Sequence, residues 1–412
     1  MTPREFVATL KRHKRYLDGH LGGVRANLSN QNLSGLRLSD LDLRRAILNG
    51  TNFTGCELVD ADFRDADLEG ADFSDARVEG GKFHAAQLGG SKFSRAKADR
   101  ANFSGANFTN AKNSRAIAPT DLSSASLNKA GFAGANLSNA VLDAAFLTGA
   151  DFIQAVMEEA RLSGANLSGA DLRFAQAGKA DFSEADLSSA DLSAADIRSA
   201  SLEAADLTSA SMTRILSRGA VLRSVEADGA DLSGADISAS DVRGAHFDHA
   251  RMDETNFEGS DLSGGSARYA SLTGAILRHT DLSGIDARGA DLTGAEATDA
   301  VLDNANLTTV VLSGAHVKGA SFRGSDMRGA LLADVDFDQA NMEDAMVVLG
   351  TAQLSAQLQM TLRDHASWVD SNGAEGARAD LEGADLSNAK LSGTYLSGAN
   401  LRECNLSWAR MA

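Results

Sequence analysis

A large apolar residue recurs at every fifth position along most of the chain. The first of these centres are Leu28, Leu33, Leu38, Leu43, Leu48 and Phe53. Ala usually stands two residues before a centre and Asp or Asn one residue before it, which gives the unit Ala-(Asp/Asn)-(Leu/Phe)-Ser-Gly. A period of five matches neither the 3.6-residue turn of a helix nor the two-residue alternation of a strand, so each unit must contain a bend. We therefore expect the centre and the preceding Ala to point inward, with Gly, Ser, Asn and Asp near the corners.

Segments such as 165–172 and 290–294 reproduce this unit with little drift. On these motifs the sequence resembles the pentapeptide-repeat family over residues 25–348 and 378–412. The resemblance implies an all-β solenoid, namely a right-handed quadrilateral parallel β-helix with about four pentapeptides per coil. The sequence itself contains periods of five and ten, and the step to a twenty-residue coil comes from the resemblance. We expect one elongated solenoid.

Phenylalanine recurs at every tenth position in the first part of the repeats. In a four-sided coil this spacing predicts Phe ladders on two opposed faces, formed by Phe53, Phe63, Phe73, Phe83, Phe93 and Phe103. Between residues 265 and 300, by contrast, the centres include Ala267, Ala287 and Ala297. The missing side-chain volume predicts that this stretch is constricted or is the least stable part of the solenoid.

Two interruptions divide the chain. Centres are expected as far as Ala118, but the next spacing, to Leu122, is four residues and lies beside Pro119. This phase slip at 118–122 indicates a local kink or irregular corner, or else a recognition feature at a bend. The second interruption, 349–377, has helical spacing near 352–371 and separates the β-helix of 25–348 from a short repeat segment, 378–412.

The second interruption resembles the N-terminal segment 1–24. His13 and Tyr16 correspond to His365 and Trp368, each pair 352 residues apart, and a Gly-containing loop follows in both copies. We interpret both as helical caps over the open end of a coil, in which each histidine is a hydrogen-bonded packing residue and not a metal ligand. The segment 378–412 is too short to bury a core alone and is expected to stack on the main solenoid, on another chain in an end-to-end dimer, or on a further domain.

Composition excludes several classes of protein. The chain has 412 residues with 39 Lys and Arg against 56 Asp and Glu, a net charge of −17, which argues against direct nucleic-acid binding. Only Cys56 and Cys404 are present, too few for a disulfide framework. No apolar run approaches membrane-spanning length, and the start lacks the apolar core of a signal peptide, so we expect a cytoplasmic protein without a membrane partner.

One segment reverses the acidic trend. Basic residues occupy outward positions before successive centres, and we interpret them as a solvated surface or as an anionic-partner patch formed by Arg77, Lys82, Lys92, Lys97 and Lys112. Twenty-residue coils would place Arg77 beside Lys97 and Lys92 beside Lys112. Arg95, Arg100 and Arg115 lie nearby.

No catalytic, cofactor or metal motif emerges from the sequence, so we expect neither an enzyme nor a cofactor. The repeats favour a scaffold or protein-interaction module whose protein partner the sequence does not identify. The alternative is an acidic, DNA-mimicking inhibitor of a type II topoisomerase such as DNA gyrase, because the family resemblance includes members with that role.

Overall fold

The computed structural model describes residues 1–109, 118–347, 356–386, 389, 391, 393–406 and 409. They form two compact units, Met1–Val221 and Leu222–Ala412. The regular secondary structure comprises helix α1 (Pro3–Leu17), strands β1 (Asp326–Met327) and β2 (Met346–Val347), which pair in parallel, and helix α2 (Ala356–Asp370). Among the described residues no helix is long and apolar enough to cross a membrane.

Parallel β-bridges between residues twenty positions apart build the coils of both units. In the first unit Asn52 pairs with Asp72, and in the second Asp261 pairs with Asp281. Each coil therefore contains four pentapeptides. The apolar centre and the Ala two residues before it are buried in nearly every unit, as Ala61 and Phe63 illustrate. A narrow apolar column thus runs through each stack of coils.

A tight turn follows each centre. After Leu28, for example, the Gln31 amide donates to the Leu28 carbonyl at 3.0 Å, and Asn30 between them has φ of 56°. A positive φ at the third residue is typical of a type II turn, which explains why Gly is frequent at this position. Ala, Arg, Ser and even Thr309 occupy the same left-handed conformation elsewhere. The coil path is thus set by the hydrogen-bonded ladder and imposed on residues that disfavour it.

The phenylalanines of the first unit lie in two columns of stacked rings. Phe53 and Phe73 are 4.8 Å apart between ring centroids, and Phe63 and Phe83 are 4.9 Å apart. Rings of different columns meet edge to face, as Phe63 and Phe73 do at 5.6 Å. The stacking distance equals the usual spacing of neighbouring strands, so each coil contributes one ring to a column without distorting the ladder.

The interruption near residue 118 is an insertion. Lys92 pairs with Asp121 and Asn107 pairs with Asn136, so partners here are 29 residues apart instead of twenty. Nine additional residues therefore separate two consecutive inward centres, Phe108 and Leu122. The expected centre at Ala118 is wrong, because Ala118 is exposed. An insertion of nine residues shifts the five-residue frame by the same amount as the deletion of one residue. This is why the sequence shows a spacing of four residues at this point.

The residues around the alanine centres of the second unit keep a small residual exposure. Leu272, Leu282 and Leu292 each retain 4% exposure, and Ala287 retains 5%. The Phe columns of the first unit retain none. We therefore expect an internal void beside the alanine centres, because a shortage of side-chain volume leaves a close-packed interior unfilled.

The segment that includes α2 forms a second, smaller coil stack within the second unit. Asp380 pairs with Asn400 and Asp385 with Asn405, again twenty residues apart. Leu362 of α2 packs into one apolar cluster with Leu381, Leu386 and Leu391. No β-bridge joins this segment to the coils of 222–347 in the described part of the chain. Of the expected helical stretch near 352–371, residues 352–355 lie outside the described residues.

Candidate functional site

The expected basic patch is spread around the coil. Arg77 pairs with Lys97 on one side, whereas Lys82 lies in the column of Asp62 and Asn102 on the next side. Lys92 lies two sides away from Lys82 and has Asp121 as its neighbour in the next coil, so the expected pairing of Lys92 with Lys112 is wrong. Lys112 itself lies outside the described residues. These cations therefore form a collar and not a single face.

The collar is densest at one corner. Arg100 occupies the left-handed corner position after Lys97, and its amide donates to the Asn128 carbonyl at 2.9 Å, which places Lys129 at the same corner one coil further on. We call Lys82, Lys97, Arg100 and Lys129 the basic corner. All four side chains are exposed, and none forms an ion pair with another residue in the described ranges. Sequence analysis missed Lys129 because the 29-residue register was not foreseen.

The carboxylate of Asp99, next to Arg100 in the chain, bonds to neutral donors and forms no ion pair with the basic corner in the described ranges. Asp99 accepts hydrogen bonds from the Ser126 hydroxyl at 2.6 Å and from the Asn128 amide at 3.0 Å. By contrast, Arg77 is held by Glu57 and Glu79 at 3.6 and 3.2 Å, and Arg95 is held by Asp75 at 2.8 Å. Within the collar, therefore, positive charge is free to act on a partner mainly at the basic corner.

The two histidine-containing segments have the same geometry. The Nδ1 atom of His13 accepts a hydrogen bond from the Ala26 amide at 3.1 Å, and that of His365 accepts one from the Ala379 amide at 3.0 Å. His13 stacks on Tyr16 and His365 on Trp368, with ring centroids 5.9 and 5.5 Å apart. Each ring links the helix to the first residues of the following coil.

A close-approach glycine completes both copies. A Cβ atom on Gly23 would clash with the backbone nitrogen of Tyr16, and one on Gly376 would clash with the backbone carbonyl oxygen of Asp364. The loop can therefore return against its helix only where the residue has no side chain. Burial lowers the pKa of both histidines, which keeps the rings neutral so that Nδ1 can accept.

The helix α2 also lies beside the coils of 248–328. Tyr269, in the left-handed conformation at φ of 57°, stacks on His249 with ring centroids 5.5 Å apart. Burial, together with the nearby carboxylate of Glu375, raises the pKa of Tyr269 to about 12. The Tyr269 hydroxyl therefore stays protonated beside the loop that follows α2. Such bulky residues adopt this conformation rarely, which marks the position as one held by its surroundings.

This arrangement encloses two adjacent cavities between the coil face and the loop after α2. The first, about 220 Å³, is lined by residues that include Arg268, Arg288 and Asp370, and the second, about 350 Å³, by residues that include Arg288, Asp370 and Tyr395. Burial opposes the ionisation of Asp248 at the first cavity, but hydrogen bonds from Arg268 outweigh it and hold the pKa of Asp248 below its ordinary value. The walls are strongly polar, and nothing in the sequence brought them together.

The described residues contain no group of three or more His, Cys, Asp or Glu side chains placed to hold a metal ion. The thiol of Cys56 is buried and donates to the Leu33 carbonyl at 3.0 Å, and burial raises the pKa of this thiol. A raised pKa makes a cysteine a poor nucleophile.

Comparison with known proteins gives a family and a set of similar structures. The family model described as Pentapeptide repeats matches residues 24–84, 86–112, 120–308, 311–345 and 379–412. No curated protein is significantly similar to this chain.

Similar solved structures include a pentapeptide repeat protein from the thylakoid lumen of Arabidopsis thaliana, with 30% identity over 22% of this chain and 71% of its own, and a TM-score of 0.19. A trypsin-treated variant of QnrB1, a plasmid-mediated fluoroquinolone resistance protein, has 24% identity over 39% of this chain and 79% of its own, with a TM-score of 0.27. HetL, a pentapeptide repeat protein involved in heterocyst differentiation regulation in the cyanobacterium Nostoc, has 23% identity over 80% of this chain and 94% of its own, with a TM-score of 0.24.

The family model matches well over half of the residues, and its unit is the one that forms the coils. The chain therefore belongs to the pentapeptide-repeat family, whose members fold as right-handed β-helices.

Proposed function

We propose that the protein is a non-enzymatic interaction module that binds an acidic segment of another protein at the basic corner. The observation that carries this proposal is the clustering of Lys97, Arg100 and Lys129 without a carboxylate partner in the described ranges. Many other arginines of the coils are paired with Asp or Glu, as Arg173 is with Asp171 at 2.6 Å. A group of unpaired cations presented on a regular ladder suits an extended acidic chain.

The net charge of −17 does not prevent this association. At physiological ionic strength the screening length is about 8 Å, so an acidic segment at the basic corner responds to nearby charges more than to distant coils. Contacts of this kind should weaken when salt is raised, because they remain solvent-exposed.

The test is binding of a fluorescent glutamate-rich peptide, followed by anisotropy at low and high salt. The triple variant Lys97→Glu, Arg100→Glu and Lys129→Glu should weaken peptide binding by at least about tenfold. The control variant makes the same change in charge elsewhere in the first unit and should weaken binding only slightly. Its substitutions are Lys179→Glu, Arg214→Glu and Arg218→Glu. Equal losses in the two variants would refute the assignment, because they would show a response to net charge alone.

A second candidate is the acidic inhibitor of a type II topoisomerase. It is supported by columns of stacked carboxylates, such as that of Asp151, Asp171 and Asp191. Many of these aspartates accept hydrogen bonds from the turn that follows, as Asp191 does from the Ser193 amide at 2.9 Å. Part of the negative charge of the chain therefore comes from aspartates that stabilise the turns. Purified protein should inhibit supercoiling by a bacterial gyrase at micromolar or lower concentration in a salt-sensitive manner, and no inhibition at low salt would exclude this candidate.

We also propose that each coil is quadrilateral and that α1 and α2 with their loops are caps. The support for four sides is the twenty-residue register with one turn after each of four centres. The support for caps is the duplicated histidine bond to the first coil residue, together with the capping box that begins α1, in which Thr2 and Glu5 bond reciprocally. Covering a coil end protects backbone groups that would otherwise pair with another edge.

A further inference from the structure

A recurrent Asp-x-Arg pair decorates the coils. In seven repeats the residue before the centre is Asp and the residue after it is Arg. In six of these repeats the guanidinium closes back on the same carboxylate through both Nε and Nη2, at 2.5 to 2.9 Å. The six pairs are Asp42–Arg44, Asp62–Arg64, Asp171–Arg173, Asp196–Arg198, Asp241–Arg243 and Asp326–Arg328.

The seventh pair, Asp286 and Arg288, is open. The Asp286 carboxylate accepts from the Asn306 side chain at 2.9 Å and from the Arg288 backbone amide at 3.3 Å. The Arg288 guanidinium has no carboxylate within ion-pair distance among the described residues, and its Nε atom is buried without a hydrogen-bond acceptor. An unsatisfied buried donor costs about 1–3 kcal/mol, so such groups in native proteins usually meet water or a ligand.

Arg288 lines both cavities beside α2, and so does Asp370 at the end of that helix. Asp370 also makes no hydrogen bond or ion pair within the described part of the chain. Arg268 is paired with Asp248 and Arg328 with Asp326, and Asp370 also acts electrostatically on Arg328. The cavities therefore contain one cation without an ion-pair partner among the described residues, Arg288, and the carboxylate of Asp370 lies more than 4.0 Å from it.

We propose that this cleft binds a small zwitterion, of the amino-acid class, that carries one carboxylate and one ammonium group. Its carboxylate accepts from the Arg288 guanidinium, whose Nε must move out of its buried position to form the two-point contact that the aspartate makes in the six closed pairs. Its ammonium group lies toward Asp370. Planar two-point recognition of a carboxylate is the geometry that arginine favours. The site is separate from the basic corner, which lies in the other unit, so neither proposal depends on the other.

Saturation-transfer NMR on the full chain tests the proposal with a series in which the two charges are progressively separated. The probes are glycine, β-alanine, γ-aminobutyrate and 6-aminohexanoate, with acetate and methylammonium as single-charge controls, each at about 10 mM, since millimolar affinity suffices for detection. One member of the series should bind at least about fivefold more tightly than acetate, a ratio that a second charged contact supplies. Arg288→Gln should abolish binding, and Asp370→Asn should reduce the preferred zwitterion to the level of acetate.

The matched control is Arg243→Gln, which opens a closed pair outside the cleft and should leave binding unchanged. Absence of saturation transfer from every probe would overturn the proposal, as would equal binding by Arg288→Gln and the unmodified chain. Acetate binding as tightly as every zwitterion would remove the role of Asp370. A direct Arg288–Asp370 ion pair in solution, detected as coupling in the thermal stability of the double variant, would show that the cleft satisfies itself and would also overturn the proposal.

Discussion

Filling the void expected at the alanine centres of the second unit should stabilise that unit. Ala287 is the natural position, because it retains 5% exposure between Leu282 and Leu292, which each retain 4%. Ala177 is the matched control: it is also an alanine at a centre, but it retains 1% exposure, and its neighbours Leu172 and Phe182 retain 1% and 0%. The two sites share residue type and position in the repeat and differ in the space around them.

The expected magnitudes follow from the added side chain. Ala287→Leu adds three carbon atoms, worth about 0.8 kcal/mol each when buried, against about 0.5–1 kcal/mol of lost rotamer freedom. The net gain is about 1.5 kcal/mol if the void accepts the whole side chain. Ala177→Leu forces the same atoms into a filled coil and should cost about 1–3 kcal/mol.

Hydrogen exchange of the amides in 265–300 provides the local measurement, and thermal unfolding provides the global one. Ala287→Leu should slow exchange there and raise the melting temperature by about 3–6 °C, whereas Ala177→Leu should lower it. Destabilisation of similar size in both variants would refute the reasoning, because it would mean that the walls around Ala287 have already closed. Protection of 265–300 equal to that of 53–103 in the unmodified chain would show that the void has no dynamic consequence.

Three further predictions concern the caps and the charged pairs. In the folded protein the pKa of His13 and of His365 lies below the ordinary value of about 6.5, so the unfolded state takes up protons first. The stability of both caps should therefore fall as the pH drops below that value. Trp368 fluorescence should report this loss at the second cap, and His365→Gln should abolish its pH dependence. Hydrogen bonds from Arg243 and Arg223 lower the pKa of Asp241 to about 2. The contribution of this carboxylate to folding stability should therefore persist above about pH 4 and be lost toward pH 2. Acid unfolding of Asp241→Asn should lack this loss of stability. Deletion of residues 1–22 should cause aggregation or end-to-end association in light scattering, and a monomer of unchanged thermal stability would contradict the cap assignment.

The features that were foreseen from sequence are those that short-range spacing encodes. The five-residue period predicts the inward centres and the turns, and the 352-residue offset between His13 and His365 identifies the duplicated motif. The insertion after Phe108 was missed because nine residues preserve most of the five-residue rhythm, so that Ala118 occupied a centre position in the pattern while lying outside the core.

The candidate sites depend on relations between coils, which no local pattern carries. Arg288 belongs to the same Asp-x-Arg motif as Arg328, although Ala287 and not a larger residue is its centre. In this pair the side chain of Asn306, twenty positions after Asp286, donates to the Asp286 carboxylate, a contact that the motif itself does not contain. The cleft needs, in addition, the placement of Asp370 at the end of α2, a helix that begins 68 residues after Arg288. Only the three-dimensional fold brings these groups together.

The insertion between Phe108 and Leu122 has a consequence for engineering. The ladder continues on both sides of it, with the Phe93 amide donating to Asp121 at 2.6 Å and the Phe108 amide to Asn136 at 2.8 Å. The buried hydroxyl of Thr120 closes the point of re-entry by donating to the Phe108 carbonyl at 2.6 Å and accepting from the Gly90 amide at 3.0 Å. We expect the junction to tolerate additional chain without a change in the paired coils, because the entropic cost of closing a loop rises only slowly with its length. A foreign peptide or small domain inserted between Thr109 and Ala118 should therefore leave the β-bridges on both sides in place.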